Sequence, residues 1–339
     1  MTLNDYLKNK DILVTGGCGS IGSKVVEELI KYPVKRIRVY DNNETAQFYL
    51  QEKFKHTGKT RALLGDIRDK HRLDIAMEGV DYVIHAAALK HVGMCEYNPS
   101  EAVKTNVVGT QNVIDVARKN KVKKFLAIST DKAVSPINTM GATKLLSEKI
   151  TLNANLGITP TKYSCVRFGN VLNSSGSVIP IFYDQIKKGG PVLITSNAMT
   201  RFFMTLDEAV LLILESLLQM EGREIFILKM KSLKIADLAE VMIDVLAPKF
   251  GYKPSEIKIK LIGIRPGEKI SEALMYPHEV NFSQEHKNMF IVKETYTPPH
   301  KEEDNILSKE SSVSILDSST AKPINKKEIK SLITSLFIK

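Results

Sequence analysis

Three consecutive side chains, Thr130, Asp131 and Lys132, carry a hydroxyl, a carboxyl and an amine that could move protons. Near neutral pH a carboxyl donates a proton only if burial raises its pKa, and a lysine accepts one only if its pKa is lowered. Met140 and Lys144 follow, four positions apart, and therefore lie on one face of a helix. The grouping predicts acid/base chemistry, although a strand-end hydroxyl, a turn cap, a solvated lysine and a core methionine are the structural alternatives.

A glycine-rich loop lies near the N-terminus, between the apolar segment 11–15 and a helical pattern. Its glycines recur at every third position, which permits a tight turn and close approach of a pyrophosphate to bare backbone. The N-terminus of the following helix offers free N–H groups to phosphate. We therefore predict dinucleotide binding rather than a purely structural turn. The residues predicted to meet the phosphates are Gly16, Gly19, Ser20, Ile21 and Gly22.

Asp41 ends the next predicted strand, about 20–25 residues past the loop, where a carboxylate holds a ribose diol. A carboxylate there repels a 2′-phosphate, and no Arg or Lys follows closely, so NAD is favoured over NADP. Residues at the ends of the neighbouring strands complete the predicted cofactor site, although the three alanines could equally serve a tight helix–sheet contact. These residues are Asn42, Asp66, Ile67, Ala86, Ala87 and Ala88.

Short apolar runs alternate with helical patterns through the first half of the chain, which predicts an α/β fold with a Rossmann-type, doubly wound parallel sheet. The predicted strands are 11–15, 37–40, 61–64, 82–85, 125–129 and 163–168, and the helices include 21–31, 47–55, 103–119 and 136–155. Beyond residue 170 the pattern indicates a smaller mixed α/β substrate domain, with helices at 179–188, 206–219 and 235–246 and short strands at 192–194, 225–228 and 257–261.

The predicted domains are 1–170 for NAD, with later segments interleaved, 171–296 mainly for the substrate, and a C-terminal tail at 297–339. Within that tail, 297–321 is rich in Ser, Thr, Glu and Pro and predicts a flexible surface stretch, whereas 325–338 predicts a terminal helix.

Composition excludes several classes of function. The 339 residues contain no apolar run long enough for a membrane span and begin with a polar segment, so we expect a cytoplasmic protein. The three cysteines are far apart, which argues against a disulfide scaffold or a metal site. The net charge is +10, but the basic residues are scattered and indicate a solvated surface rather than a nucleic-acid footprint.

The motifs together resemble the extended short-chain dehydrogenase/reductase family, and within it the UDP-N-acetylglucosamine 4,6-dehydratases. The resemblance extends from residue 11 to about residue 275. Other members carry a membrane segment ahead of this part, and this chain resembles the short soluble form. The segments that carry the resemblance are 16–22, 85–92, 101–110, 129–133, 138–144, 167–172, 176–180, 199–204 and 265–269.

The resemblance implies an internal redox reaction on UDP-N-acetylglucosamine. NAD takes hydride from C4 of the sugar, the C5 proton becomes acidic, water leaves from C6, and hydride returns to C6 to give a UDP-4-keto-6-deoxy-HexNAc. The net reaction is that of a lyase, and NAD is regenerated.

The resemblance also implies roles for the grouped residues. Thr130 would hydrogen-bond the C4 oxygen, Asp131 would protonate the departing C6 hydroxyl, and Lys132 would take the C5 proton. Lys144 would hold the nicotinamide ribose. Met140 stands where relatives usually carry a catalytic Tyr, so the C4 proton must leave through water or Asp131.

Other residues are assigned to the ligands by the same resemblance. Asn106 is assigned to the cofactor site, and His91 is more readily structural than part of the pocket. The predicted substrate ligands are Lys90, Asn170, Val178, Arg201, Arg265 and Glu268.

Two alternatives stay open at this point. A UDP-sugar epimerase of the same fold would normally retain the Tyr, so Met140 argues against it; a catalytically inactive sugar-nucleotide binder would explain the lost Tyr but not the intact Thr130–Lys132 run. The sequence does not fix the C5 configuration of the product. A dimer is the smallest assembly expected, through the helices predicted at 103–119 and 136–155.

Overall fold

A computed structural model describes residues 2–172, 174, 176–293 and 316–337 of the chain. Most of the stretch predicted to be flexible, 297–315, lies outside these residues. The chain divides into two compact units. The first comprises Met1–Phe168, Asp207–Lys229 and Met275–Ile315, and the second comprises Gly169–Leu206, Met230–Leu274 and Leu316–Lys339.

The first unit is built on a nine-stranded sheet. In chain order the strands are β1 (Asp11–Thr15), β2 (Arg36–Asp41), β3 (Thr60–Leu64), β4 (Tyr82–His85), β5 (Lys124–Ile128), β6 (Lys162–Arg167), β10 (Glu224–Leu228), β13 (Ser283–Glu285) and β14 (Met289–Lys293). The spatial order is β13-β14-β10-β6-β5-β4-β1-β2-β3, and only β14 and β13 run antiparallel to their neighbours. Every residue of β1, β4 and β5 is buried, because central parallel strands are covered on both faces.

The first helix of this unit precedes β1, and the helices after it lie between strands. They are α1 (Leu3–Leu7), α2 (Ser20–Ile30), α3 (Glu44–Phe54), α4 (Lys70–Met77), α5 (Val92–Tyr97), α6 (Pro99–Ala102), α7 (Thr110–Lys119), α8 (Thr139–Asn153), α10 (Leu206–Gln219) and α12 (Pro277–Val280). Several begin at side-chain caps that the sequence supplies: Asn43, Asp69 and Asn138 each accept a backbone N–H from the first turn of α3, α4 and α8.

The second unit is a smaller mixed α/β structure. Its strands are β7 (Asn170–Val171), β8 (Val192–Ile194), β9 (Thr200–Met204), β11 (Lys231–Lys234) and β12 (Ile259–Leu261), and its helices are α9 (Val178–Lys187), α11 (Ile235–Leu246) and α13 (Lys326–Phe337). The strands form a three-stranded sheet, β11-β9-β7, and a parallel pair, β12-β8. One apolar cluster, which includes Phe182, Met242 and Ile333, joins α9, α11 and α13.

The predicted Rossmann-type α/β class is confirmed, whereas one predicted helix was wrong. The helix expected at 103–119 is not a single α-helix, because residues Val103–Gly109 are π-helical and separate α6 from α7. The strand predicted at 225–228 is present as β10, which pairs with β6 in the large sheet and so lies in the first unit. Among the described residues, no helix is long and apolar enough to cross a bilayer.

Candidate active site

The glycine-rich loop joins β1 to α2 with no room for side chains. Gly16 has φ +63°, and a Cβ there would lie 2.6 Å from the backbone nitrogen of Ala87. A Cβ on Gly22 would lie 2.2 Å from the carbonyl oxygen of Gly16. Gly19 is the N-cap of α2 and, because it lacks a side chain, supplies no cap hydrogen bond to that helix. The loop thus presents bare backbone at the N-terminus of α2, which is the geometry that a phosphate-binding turn requires.

Asp41, at the end of β2, fixes this loop. One of its carboxylate oxygens accepts the Cys18 N–H at 3.0 Å, and the other accepts the Asn43 N–H at 3.0 Å. Burial, reinforced by the charge of Asp41, raises the pKa of Cys18 to about 12, so the thiol stays protonated. A carboxylate at this strand end matches the predicted ribose contact.

Asp66, predicted to meet the adenine, lies just beyond β3 and pairs with Arg68 at 2.7 Å. That hydrogen-bonded pair lowers the pKa of Asp66. The Asn42 amide reaches the same carboxylate at 3.5 Å. Ile67 is buried, and a Cβ on Gly109 would lie 2.6 Å from it, so the residues after β3 pack closely on the π-helical segment.

Asn106 lies inside that π-helical segment and is buried. Its amide accepts the N–H of Leu89 at 2.8 Å and donates to the carbonyl of Leu89 and to the Thr143 hydroxyl, both at 3.0 Å. Asn106 therefore ties the loop after β4, which contains Ala86–Ala88 and the exposed Lys90, to helix α8. π-Helical turns are frequent at functional sites, and no spacing in the sequence signalled this one.

A buried histidine, His85 at the end of β4, lies next to this loop, and no pattern in the sequence marked it as part of the site. His85 bonds the Thr15 hydroxyl through Nδ1 at 2.7 Å and the Thr110 hydroxyl through Nε2 at 3.0 Å. Burial, followed by the charge of Lys144, lowers the pKa of His85 to about 3, so the ring is neutral at physiological pH. The histidine therefore joins β1, β4 and α7 and is not a proton carrier.

Thr130, Asp131 and Lys132 form a hydrogen-bonded trio just beyond β5, where residues Asp131–Ala133 make a 3₁₀ turn that we call the catalytic turn. The Thr130 hydroxyl donates to Asp131 Oδ1 at 2.9 Å, and Lys132 Nζ donates to the same oxygen at 3.0 Å. Asp131 is fully buried, whereas 18% of the Lys132 side chain is exposed. Within the part of the chain that the structure describes, Asp131 Oδ2 has no hydrogen-bond partner. The trio thus joins a hydroxyl, an acid and an amine through one oxygen.

Lys144 and Met140 lie on α8, one turn apart, as predicted. Lys144 is buried and its Nζ donates to the Ile128 carbonyl at 2.5 Å. Burial lowers the pKa of Lys144, an effect opposed by Cys165 and Glu148. Met140 packs in a small apolar cluster with Cys95 and Ala102. Its thioether therefore fills space and carries no proton.

Most of the predicted substrate ligands belong to the second unit. The Asn170 amide donates to the Phe202 carbonyl at 3.1 Å, and Val178 is the first residue of α9. Arg265 and Glu268 belong to one turn, in which the Arg265 N–H donates to the Glu268 carboxylate at 3.3 Å.

Arg201, on β9, is buried and already engaged. Its guanidinium donates to the carbonyls of Thr200 at 2.7 Å, Ile270 at 3.0 Å and Lys269 at 2.7 Å. Its Nε lies 3.8 Å from the carboxylate of Glu272. These contacts fix the segment that follows Glu268. Arg201 therefore has a structural role, whether or not it also binds phosphate.

Comparison with known proteins places the chain in a family. Residues 12–294 match the family described as "Polysaccharide biosynthesis protein". The chain belongs to this family. A Campylobacter jejuni member named UDP-N-acetylglucosamine 4,6-dehydratase (inverting) is 42% identical over 299 residues, which are 87% of this chain and 86% of that protein.

Other relatives carry different names. A Methanocaldococcus jannaschii protein named uncharacterized membrane protein MJ1061 is 52% identical over 336 residues, 98% of each chain. A Rickettsia canadensis protein named UDP-glucose 4-epimerase is 37% identical and covers 97% of this chain and 96% of its own length. Among solved structures, Pen from Bacillus thuringiensis superposes with a TM-score of 0.90 at 41% identity, covering 97% of this chain and 98% of that one. The named relatives thus include both a dehydratase and an epimerase of sugar nucleotides.

Proposed function

We propose that the protein is a UDP-N-acetylglucosamine 4,6-dehydratase that forms a UDP-4-keto-6-deoxy-HexNAc and acts with NAD. The observation that carries this proposal is the hydrogen-bonded Thr130–Asp131–Lys132 trio, built around the fully buried Asp131, beside a helix that bears Met140 in place of a proton-carrying residue. Dehydration needs both an acid for the C6 hydroxyl and a base for C5, and the trio supplies both. The relative at 42% identity that is named a dehydratase supports the same reaction.

The contacts of the trio provide a route for the C4 proton. Thr130 donates to Asp131. A C4 hydroxyl hydrogen-bonded to Thr130 would therefore pass its proton through that hydroxyl to the Asp131 carboxylate in two short transfers. Asp131 would then hold the proton that the C6 hydroxyl needs in order to leave as water. Met140 is not required at any step.

Lys132 becomes a base by the same event. Once Asp131 is protonated, the ammonium 3.0 Å away loses the negative charge that stabilised it, and its partly exposed side chain can release a proton to water. The neutral amine then takes the C5 proton while Asp131 protonates the C6 hydroxyl. This regenerates the ion pair seen in the structure. Return of a proton to C5 from Lys132, followed by uptake of one from water, closes the proton balance.

The chain's own residues fit NAD. We assign the glycine loop to the phosphates, Asp41 to the adenosine ribose and the buried Lys144 to the nicotinamide ribose, with Asn42, Asp66, Ile67, Ala86–Ala88 and Asn106 completing the pocket. Bound NAD would supply the hydride acceptor and donor. Asp41 favours NAD because its carboxylate would repel the 2′-phosphate of NADP.

Asp41→Asn should weaken this preference. We expect about tenfold weaker binding of NADH, because hydrogen bonds to a charged acceptor are among the stronger ones, and unchanged or tighter binding of NADPH. Fluorescence titration of both nucleotides measures the ratio. Asp69→Asn, which alters a helix cap in the same unit, should leave both affinities unchanged. If Asp41→Asn preferred NADH over NADPH as strongly as the wild type does, Asp41 would not be the ribose ligand.

We assign Lys90, a residue of the first unit, to the sugar nucleotide. Asn170, Val178, Arg201, Arg265 and Glu268 are proposed to meet the sugar, phosphates and uridine. Arg201 is the strongest candidate for diphosphate, because a guanidinium matches phosphate geometry.

A UDP-sugar epimerase is the second candidate, favoured by the relative named UDP-glucose 4-epimerase. Met140 argues against it, because an epimerase of this family would normally retain Tyr at that position, and because Lys132 supplies a base for C5 that 4-epimerisation does not use. Incubation with UDP-N-acetylglucosamine separates the candidates. A product lighter by one water supports the dehydratase, a new isomer of unchanged mass supports the epimerase, and an unaltered substrate supports a catalytically inactive binder.

We also propose that the protein forms a homodimer through the π-helical segment and α8. Val103, Val108 and Leu146 are 43%, 48% and 50% exposed there, and a second copy would cover them. Sedimentation velocity should give a dimer that Leu146→Glu converts to monomer. Leu211→Glu, at a 48% exposed position on α10, should leave the dimer intact. A monomeric wild-type protein would contradict the proposal.

A further inference from the structure

A buried ion cluster lies behind the catalytic turn. Arg167, the last residue of β6, is fully buried. Its guanidinium makes two bonds to Glu148 of α8, at 3.0 and 2.7 Å, and two to Glu279 of α12, at 2.7 and 3.0 Å. Both carboxylates are almost completely buried. The three side chains thus lock β6, α8 and α12 together through fixed, bidentate geometry.

Tyr276 connects this cluster to the catalytic turn. Its backbone N–H donates to the Glu279 carboxylate at 2.8 Å, and its ring lies 6.0 Å from the Arg167 guanidinium. Its hydroxyl donates to the carbonyl of Ala133 at 2.8 Å. Ala133 is the last residue of the turn that begins at Asp131.

The other end of the turn is anchored by the same strand. The Asp131 N–H donates to the carbonyl of Phe168 at 3.0 Å, and Phe168 directly follows Arg167. Both ends of the catalytic turn are therefore held by groups attached to one buried cation. Glu148 also lies one helical turn beyond Lys144 on α8, so the cluster fixes that helix against the turn.

We propose that Tyr276 is a positioning residue for the elimination chemistry, held by the Arg167–Glu148–Glu279 cluster so that its hydroxyl sets the orientation of the catalytic turn. The proposal rests on the proposed dehydratase function. Tyr276 touches no reacting atom and acts on Asp131 and Lys132 through the Ala133 carbonyl. A small displacement of an acid or base is costly, because proton transfer needs heavy atoms within hydrogen-bond distance.

Tyr276→Phe tests the proposal, because it deletes the hydroxyl and keeps the ring and the backbone N–H. We expect kcat for dehydration to fall about tenfold or more with KM for UDP-N-acetylglucosamine within about twofold of wild type. In the substrate-free protein, amide hydrogen exchange over residues 130–134 should become about tenfold faster, because one hydrogen bond of typical strength is lost. Tyr6→Phe is the matched control, since the half-buried Tyr6 hydroxyl also donates to a backbone carbonyl, that of Leu217 at 3.2 Å.

Slower turnover at unchanged KM, with faster exchange confined to the turn, supports positioning by Tyr276. Unchanged kcat, or exchange over 130–134 that matches Tyr6→Phe, overturns it, and so does a loss of activity explained by a smaller folded fraction. If wild-type protein does not dehydrate UDP-N-acetylglucosamine, the proposed function fails, while the exchange measurement still decides whether Tyr276 holds the turn.

Discussion

Lys132→Ala should lower the rate of water loss from UDP-N-acetylglucosamine by about 10³-fold, within the range that a general base contributes. The variant removes the amine proposed to take the C5 proton and leaves the Thr130–Asp131 hydrogen bond in place. Exchange of the C5 hydrogen with solvent deuterium should disappear along with elimination. Mass spectrometry and NMR of the recovered sugar nucleotide measure both.

The same variant should bind NADH with wild-type affinity, because no residue assigned to the cofactor is altered. Lys53→Ala is the matched control: Lys53 also forms an ion pair, with Glu27 at 2.9 Å, but lies exposed on α3. That control should keep full activity. Wild-type C5 exchange in Lys132→Ala would show that another group is the base.

Of the substitutions proposed for this protein, Arg167→Met should lower the free energy of unfolding most. The substitution leaves Glu148 and Glu279 as buried carboxylates without a cation, and breaking a buried ion cluster from one side costs about 3–5 kcal/mol. Denaturant-induced unfolding, followed by circular dichroism, should show a correspondingly lower midpoint. Arg61→Met, at an exposed position on the edge strand β3, should change the midpoint little.

A double variant isolates the cause of that loss. In Arg167→Met/Glu279→Gln one of the two uncompensated charges is gone, so part of the lost stability should return although a further native contact has been removed. A double variant less stable than Arg167→Met would show that lost packing, rather than unpaired charge, dominates.

Local rules were sufficient to predict the core of the Rossmann unit. β1 and β4 each contain three consecutive apolar residues, and the glycine spacing and Asp41 depend on contacts within one βαβ unit. The fold class and the family resemblance could therefore be predicted from the sequence. The side chains of the Thr130–Lys132 run are adjacent in the chain, so their contact needs little tertiary information.

Contacts between segments that are far apart in the sequence could not be predicted from it. β10 is a short apolar run whose place beside β6 depends on chain segments far apart in sequence, and the antiparallel strand β14 was not predicted at all. The π-helical segment contains no proline, so nothing in its sequence marks the departure from α-helix. The buried cluster brings together three separate segments, which carry Glu148, Arg167 and Tyr276. A charged residue taken by itself is normally predicted to lie at the surface.

The proposed reaction removes water from a UDP-sugar and moves the C4 hydrogen to C6 by way of NAD. Incubation of the protein with UDP-N-acetylglucosamine labelled with deuterium at C4 follows that transfer. We expect a product lighter by one water whose deuterium lies in the C6 methyl group, as read by NMR, with no net consumption of NAD. A product of unchanged mass that carries the deuterium at C4 of an epimerised sugar, or a substrate returned unaltered, would contradict it.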